Sequence, residues 1–375
     1  MIHTLVMHFA ALEDPRCPGK ITHKLIDILV IAVCAVVAEA DTFEDIALYG
    51  RCKQDWLKGF LELPNGIPSH DTFRRVLMLI DPEAFERCFL AWVREVFRSD
   101  TAVMAEQIAI DGKTVRRSFD RRRGRSPLHL VNAYATGRGL VLAQRATPDK
   151  RGELTVLPEI LDGLALQGTL VSLDALACRR ELAEAIVSRG GDYLITLKAN
   201  QGRIYKEVRD WFAAHAFGRG GSLRPCFDAF DDSHGRLVRR RVFACPDAGG
   251  FATLKDWPGL RAVLASETIR GVNGRGKITA EIRHYVSSSK VSPEVLAAAI
   301  RQHWAIENGL NWVLDVTFGE DASRVRERNA ARNMAVLRRI ALDLARANRS
   351  LTASLKGKRK CAAWDDSFMT KLIPG

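Results

Sequence analysis

The sequence predicts a mixed α/β protein. A helical N-terminal segment covers residues 1–100, and a helix-flanked mixed sheet covers 101–375, interrupted by a β-rich insertion at about 203–290. Three features predict this. Residues 20–100 read as successive helices with capping signals. From about residue 105, three short apolar runs separated by turn residues give way to alternating helix and strand. Basic, β-like sequence then breaks that alternation until helix returns at residue 292.

Each element has its own reason. "ILVIAVCAVVA", Ile28 to Ala38, is the most apolar run. It is shorter than the ~20 apolar residues a bilayer span needs. It is not N-terminal and has no cleavage site, so it is a poor signal peptide. A buried helix remains. "DTFEDIALYGRCKQDWLKGF" opens with Thr42 three residues before Asp45, a capping-box spacing. "PSHDTFRRVLMLI" follows a Pro/Gly break, and Arg74 and Arg75 facing outward would suit either a DNA-binding element or an ordinary helical domain. In "DPEAFERCFLAWVREVF", Asp81 is the N-cap and Pro82 the first helical residue. "EQIAIDG", "LHLVNAYAT" and "GLVLAQRAT" read as strands. "ELTVLPEILDGL" reads as helix, with Pro158 favouring a start near it. "TLVSLDAL" is a strand, "RRELAEAIVSRGG" a helix ending at glycine, and "DYLITLKAN" a strand. "RAVLASETIR" and "KITAEIRHYVSS" flank "GVNGRG" as a hairpin. "SPEVLAAAIRQHWAIENGLNWVLDV" is one helix, capped by Ser292 with Pro293 at its start, and a basic helical tail follows.

Composition narrows the partners. The chain has 375 residues, 47% hydrophobic and 27% charged, enough for two or three domains with a real core. Lys and Arg number 56 against 44 Asp and Glu, a net charge of +12. A polyanionic partner is implied, nucleic acid before membrane, although a merely basic surface has the same composition. Eight cysteines are scattered without a CxxC pair or Cys/His cluster, which argues against zinc and against a disulfide framework. Free thiols and the lack of a targeting segment fit a reducing cytoplasm.

The stretch "AIDGKTVRRSF", Ala109 to Phe119, carries an acid out of an apolar segment into positive charge. Gly112-Lys113-Thr114 looks like the end of a Walker loop, but that motif needs a glycine at position 107, which is Gln. Nucleotide binding is rejected. Asp111 instead closes one apolar strand and Asp174 another. Acids at strand ends lie where open α/β sheets place their sites. Two such acids suit a hard divalent cation, while a lone strand-end Asp serves as readily as a turn residue or cap. A third acid is offered by the helix near 303. There His303, Glu307, Asn311 and Asp315 are spaced by four and form a polar stripe on an otherwise apolar helix. A buried Glu307 needs a partner, either a metal, a cleft, or a structural salt bridge to Arg301 or Arg324. Six arginines lie between Val115 and Arg125, four in "RLVRRR" at 236–241, and six between Ala322 and Arg339. Acids inside so basic a field suit metal-assisted cleavage of a phosphodiester.

With these blocks in view, the sequence resembles the DDE transposases of bacterial insertion sequences, specifically the H-repeat-associated (Rhs-linked) subfamily. "HFAALEDPR", "PSHDTFRRVL", "AIDGKTVRRS", "LHLVNAYA", "VSLDALACRRELA", "GGDYLITLKANQ", "HGRLVRRR" and "HWAIENGLNWVLDVTFGEDASRVR" come in the family's order over nearly the whole chain. The resemblance implies an RNase H-like core with a catalytic, metal-holding triad of Asp111, Asp174 and Glu307. It implies two Mg²⁺ ions, with Mn²⁺ as a substitute, and the long gap between Asp174 and Glu307 holds the β-rich insertion. It implies terminal-repeat and target DNA as partners, a homodimer on DNA, no membrane, no nucleotide cofactor, and a bacterial, nucleoid-associated location. The candidate DNA contacts are Lys113, Arg116, Arg117, Lys198, Asn200, Gln201, Arg236, His303, Arg324 and Arg326. Asn200 and Gln201 could equally be turn residues, and His303 could orient Glu307. The wider group often has Tyr, Arg and Lys around its glutamate, where this chain has Ile300, His303 and Leu314, and Asn311 stands where the subfamily often has His. Two rivals share this sequence evidence: a non-catalytic DNA-binding remnant, and a nuclease that never joins strands.

Overall fold

The computed structural model describes residues 2–96, 106–149, 152–218, 221–232, 236–272 and 275–373. The elements in order are α1 (Ile2–Phe9), α2 (Leu25–Val37), α3 (Phe43–Cys52), α4 (Gln54–Leu57), α5 (His70–Leu79), α6 (Pro82–Val96), β1 (Gln107–Val115), β2 (Leu128–Ala135), β3 (Leu140–Thr147) and α7 (Glu153–Asp162). Next come β4 (Leu170–Leu173), α8 (Arg180–Val187), β5 (Asp192–Leu197), α9 (Arg203–Phe212), β6 (Phe227–Asp231), β7 (Arg236–Ala244), β8 (Ala262–Val272) and β9 (Arg275–Ser287). The chain closes with α10 (Pro293–His303), α11 (Trp312–Val316), α12 (Arg328–Ala347), α13 (Leu355–Trp364) and α14 (Asp366–Leu372). The strands form a nine-stranded mixed sheet in the order β3-β2-β1-β4-β5-β9-β8-β7-β6, the helix-flanked mixed α/β class that the sequence predicts.

The chain divides into two compact units. The first holds Met1–Val103, Gly112–Val156 and Glu307–Gly375. Its α2 is buried all round, which is why the sequence offers that helix no polar face. The expected capping box is present: Asp45 N–H donates to Thr42 Oγ1 at 3.1 Å, and Thr42 N–H to Asp45 Oδ2 at 3.0 Å. Asp81 accepts from the N–H groups of Glu83 and Ala84, as an N-cap should. The amphipathic α12 packs against α2, α5, α6 and β3. From α12, Asn333 donates to the carbonyls of Leu77 and Ile80, satisfying acceptors that the end of α5 would otherwise leave open. Val115, Leu128 and Leu130 bury against Ala331 and Ala335 of the same helix. Each large aliphatic side chain fully buried this way contributes roughly 1.5–3 kcal/mol.

The second unit holds Met104–Asp111 and Leu157–Ile306. Here β1 runs parallel to β4 with Gln107 opposite Leu170 and Ile110 opposite Leu173. β4 is parallel to β5, and β5 antiparallel to β9. The antiparallel meander β9-β8-β7-β6 completes this part of the sheet. Leu296, Ala297, Ala299 and Ile300 of α10 bury against Leu170, Leu194, Val242, Leu264 and Tyr285.

Four local expectations change. β1 continues beyond Asp111 to Val115, because Lys113 and Val115 alternate inward and keep the backbone extended. Asp111 therefore lies inside β1, one step past its last residue paired with β4. Pro158 sits within α7 rather than at its start, at the cost of one backbone hydrogen bond. The insertion opens with helix α9, whose Ile204, Val208 and Phe212 recur every four residues; Val208 and Phe212 are fully buried. The single helix expected from 293 is broken. α10 ends at His303, residues Ile306–Asn311 form a wider π-turn, and α11 comes next. Ser292 enters α10 with extended backbone but makes no side-chain capping bond. The tip of the β8–β9 hairpin, residues 273–274, lies outside the described residues.

Candidate active site

The chemistry gathers at one end of three parallel strands in the second unit. The register of β1 on β4 puts Asp111 and Asp174 each one residue past the matched pair Ile110–Leu173. Both side chains are half-buried. Asp174 leaves β4 and immediately caps a short 3₁₀ turn, its Oδ1 accepting from Leu176 N–H at 2.9 Å and Ala177 N–H at 3.4 Å. Both bonds use the same oxygen. Two hard carboxylates, each just past the last matched pair of adjacent strands, have the donor chemistry that a divalent cation takes. Among the described residues no group of three or more His, Cys, Asp or Glu is arranged to hold a metal ion.

The loop after β5 braces Asp174. Gln201 Nε2 donates to the Ala175 carbonyl at 2.8 Å and Asn200 Nδ2 to the same oxygen at 3.2 Å. Gln201 Oε1 in turn accepts from Lys198 N–H at 2.7 Å. Lys198 comes directly after β5 and its side chain is exposed. Beside this loop is a cavity of about 310 Å³ lined by Arg179, Arg180, Asn200 and Gln201, among others. Arg179 and Arg180 were not singled out in the sequence, although they stand in the same block as Asp174. Burial, with the Asp174 charge nearby, pushes the Cys178 thiol up to about 12, so it stays protonated and is no nucleophile.

His303 is tied inward. Its Nδ1 lies 2.9 Å from Ser172 Oγ, which also accepts from Gln107 Nε2 at 2.8 Å, and Gln107 donates to the Ala299 carbonyl at 3.0 Å. Ser172 is two residues before Asp174, so this network fixes α10 to the strand that carries the acid.

In the first unit, Gly112 comes after Asp111 because no side chain fits there. A Cβ would overlap Glu153 Oε1 and stand 2.7 Å from His129 Nε2. Those two groups are hydrogen-bonded at 2.7 Å and buried, and His129 Nδ1 meets Thr114 Oγ1 at 2.8 Å. Nothing in the sequence pattern marked this Thr114–His129–Glu153 chain, since its members lie on three separate elements. Lys113 is buried and its ammonium sits 2.5 Å from Asp315, 3.4 Å from Asp321 and 3.8 Å from Glu320. Burial opposes the Glu320 charge, but Arg339, Lys113 and Arg338 outweigh it and hold the carboxyl below its usual range. Arg116 is exposed and reaches Asp321 at 3.2 Å.

Glu307 lies in the π-turn and is exposed, with Asn311 Nδ2 donating to its Oε2 at 3.5 Å. The expected buried stripe is therefore split. The π-turn's wider pitch breaks the four-residue spacing, His303 binds Ser172, and Asp315 binds Lys113. Trp304 and Trp312 are 43% and 57% exposed, on a helix whose apolar residues outside the polar stripe predict that most of it is buried. Arg117, Arg324 and Arg326 are exposed. Arg236 opens β7, and its side chain lies outside the described residues. Among the described residues no helix is long and apolar enough to cross a membrane.

Residues 104–344 match the family model described as "Transposase DDE domain", and residues 6–93 the model described as "DDE_Tnp_1-associated". The "H repeat-associated putative transposase YhhI" of Escherichia coli (strain K12) is 36% identical over 378 residues, covering 99% of this chain and 98% of that one. The "Uncharacterized protein in dhlA 3'region" of Xanthobacter autotrophicus is 40% identical over 287 residues, 76% of this chain and 94% of its own. A cryo-EM structure of a piggyBac transposase synaptic complex with hairpin DNA aligns over 99% of this chain and 78% of its own, at 10% identity and a TM-score of 0.43, too distant to bear on detail.

Proposed function

This chain belongs to the DDE transposase family, in its H-repeat-associated branch, and we propose that it cuts DNA at the ends of an insertion sequence and joins the freed ends to target DNA. The observation that carries the reading is the register of β1 on β4, which places Asp111 and Asp174 each one residue past the last matched pair of two parallel strands, inside the residues that match the transposase domain. Glu307 is the third acid by its place in the family block. These three carboxylates would hold divalent cations, Mg²⁺ with Mn²⁺ as substitute. Bound there, the cations would supply charge stabilisation and a more acidic attacking water.

The chain's own residues supply position. Asn200 and Gln201 hold the Ala175 carbonyl and so fix the turn that Asp174 caps. Gln107, Ser172 and His303 hold β4 against α10. Lys113 is assigned to fastening Asp315, Glu320 and Asp321, and His303 to fastening Ser172, rather than to DNA. Lys198, Arg116, Arg117, Arg236, Arg324 and Arg326 remain the proposed contacts to phosphates, which bind charge without reading sequence. Water attack on the end phosphodiester breaks its P–O3′ bond and leaves a 3′-hydroxyl. That hydroxyl then attacks a target phosphodiester, forming a new P–O3′ bond as the target's own 3′-oxygen leaves with a proton. Two ends must be paired, so the active species is a homodimer on DNA.

Two rivals share the same fold and basic surface: a protein that binds DNA without cutting it, and a nuclease that never joins strands. Labelled end DNA incubated with protein and Mg²⁺ separates the readings. Joined product supports the transposase, cleavage without joining a nuclease, and binding alone a non-catalytic remnant.

A further inference from the structure

Arg338 and Arg339 are neighbours on α12 with opposite fates. Arg339 is fully buried and spent within the fold, donating to Glu320 at 2.6 Å, to Asn132 at 2.8 Å and to the Ala335 carbonyl at 2.9 Å. Arg338 is 3% exposed, yet its buried Nη2 has no hydrogen-bond partner. An unpaired buried guanidinium nitrogen is costly, and guanidinium is always charged. The same side chain lines a cavity of about 960 Å³ in the first unit. Around it stand arginines from three separate stretches: Arg74 and Arg75 of α5, Arg122 of the turn after β1, and Arg324 and Arg326 of the loop before α12. The acids of that lining are partly committed elsewhere. Asp120 accepts from Arg122 N–H, and Glu327 caps α12 through Ala330 N–H. Asp41 interacts with Arg338 through charge.

We propose that this cavity is a seat for the DNA backbone, with one phosphate on Arg338 at its floor and neighbouring phosphates on Arg324, Arg326 and Arg122 at its rim. The proposal rests on the reading of the chain as a DNA-binding transposase and adds a site to it. Guanidinium forks match phosphate oxygens in geometry as well as charge. A phosphate at the cavity floor would give the Arg338 guanidinium an anionic counterpart in addition to the Glu320 and Asp41 charges. The site brings α5, with its Arg74–Arg75 pair, and the basic run 116–125 to one surface. Neither arginine cluster shows that in sequence.

The test measures binding of the full chain to a labelled DNA duplex by fluorescence anisotropy across a salt series. The rim variant Arg324→Gln/Arg326→Gln is expected to bind about tenfold more weakly and to lower the slope of log affinity against log salt by about two, since each lost phosphate contact removes close to one unit. Lys356→Gln, at an exposed position of α13, is expected to match the wild type. Arg338→Gln is expected to weaken binding with its thermal midpoint retained. If it does not fold, the exposed rim pair decides. A rim variant with wild-type affinity and slope overturns the seat while leaving DNA binding intact. A wild-type chain with no salt-dependent DNA binding overturns the transposase reading, and the seat with it.

Discussion

Gly112 shows how closely the region after Asp111 is packed. Gly112→Ala would drive a methyl into Glu153 and His129, and overpacking of this kind costs roughly 1–3 kcal/mol. A lower urea midpoint is expected, partly restored by Glu153→Ala in the same chain. An unchanged midpoint would mean that the close approach is absent. His284 gives a second residue-scale outcome. Burial, with Arg209 adding to it, pushes its imidazole down from 6.5 to about 4. Between those values the folded ring is neutral while the unfolded chain takes up a proton. Stability is therefore complete above about pH 6.5 and falls as pH drops toward 4. The loss is up to about 3 kcal/mol. Urea unfolding at pH 7 and pH 4.5 should show that loss in the wild type and a smaller one in His284→Phe, whereas equal losses would remove His284 as the cause.

At the scale of elements, α12 is the member that most of the first unit leans on, and Arg339 is its deepest polar anchor. Arg339→Met leaves buried Glu320 without its closest partner, and breaking such a pair costs about 3–5 kcal/mol. A thermal midpoint within a degree or two of wild type would contradict that role. The elements also show what the sequence could reveal. Thr42 with Asp45, Asp81 with Pro82, and the apolar Ile28–Ala38 run are local signals, and local forces decide those helices. The two strand acids were legible because apolar runs end visibly in a carboxylate. Their matched register was not, since pairing between β1 and β4 is settled by contacts far apart in the chain. The π-turn at Ile306–Asn311 was hidden for a related reason. Its residues have ordinary helical spacing, so a stripe read at four-residue intervals looked continuous. The helical period of Ile204, Val208 and Phe212 was present in the sequence, but the β-like character of the strands after α9 masked it.

The whole molecule carries a net charge of +12, and most of what that charge does is invisible in composition. Some arginines and Lys113 are consumed inside the fold, others stand exposed, and Arg338 is buried with a nitrogen to spare. Pairing two DNA ends predicts that sedimentation of the chain with end DNA finds two protein copies per complex, and a single protein copy per complex under cleaving conditions would contradict it. The family and the sheet were readable from ordered sequence blocks, while the role of Glu307 comes from its block alone. The most direct measurement is strand transfer of labelled element-end DNA in Mg²⁺ by wild type and by Asp111→Asn. The account predicts joined product from wild type and, from the variant, intact DNA binding with cleavage reduced at least about 10³-fold, the loss of a transition-state stabiliser worth about 4 kcal/mol. Wild-type cleavage by Asp111→Asn would contradict it.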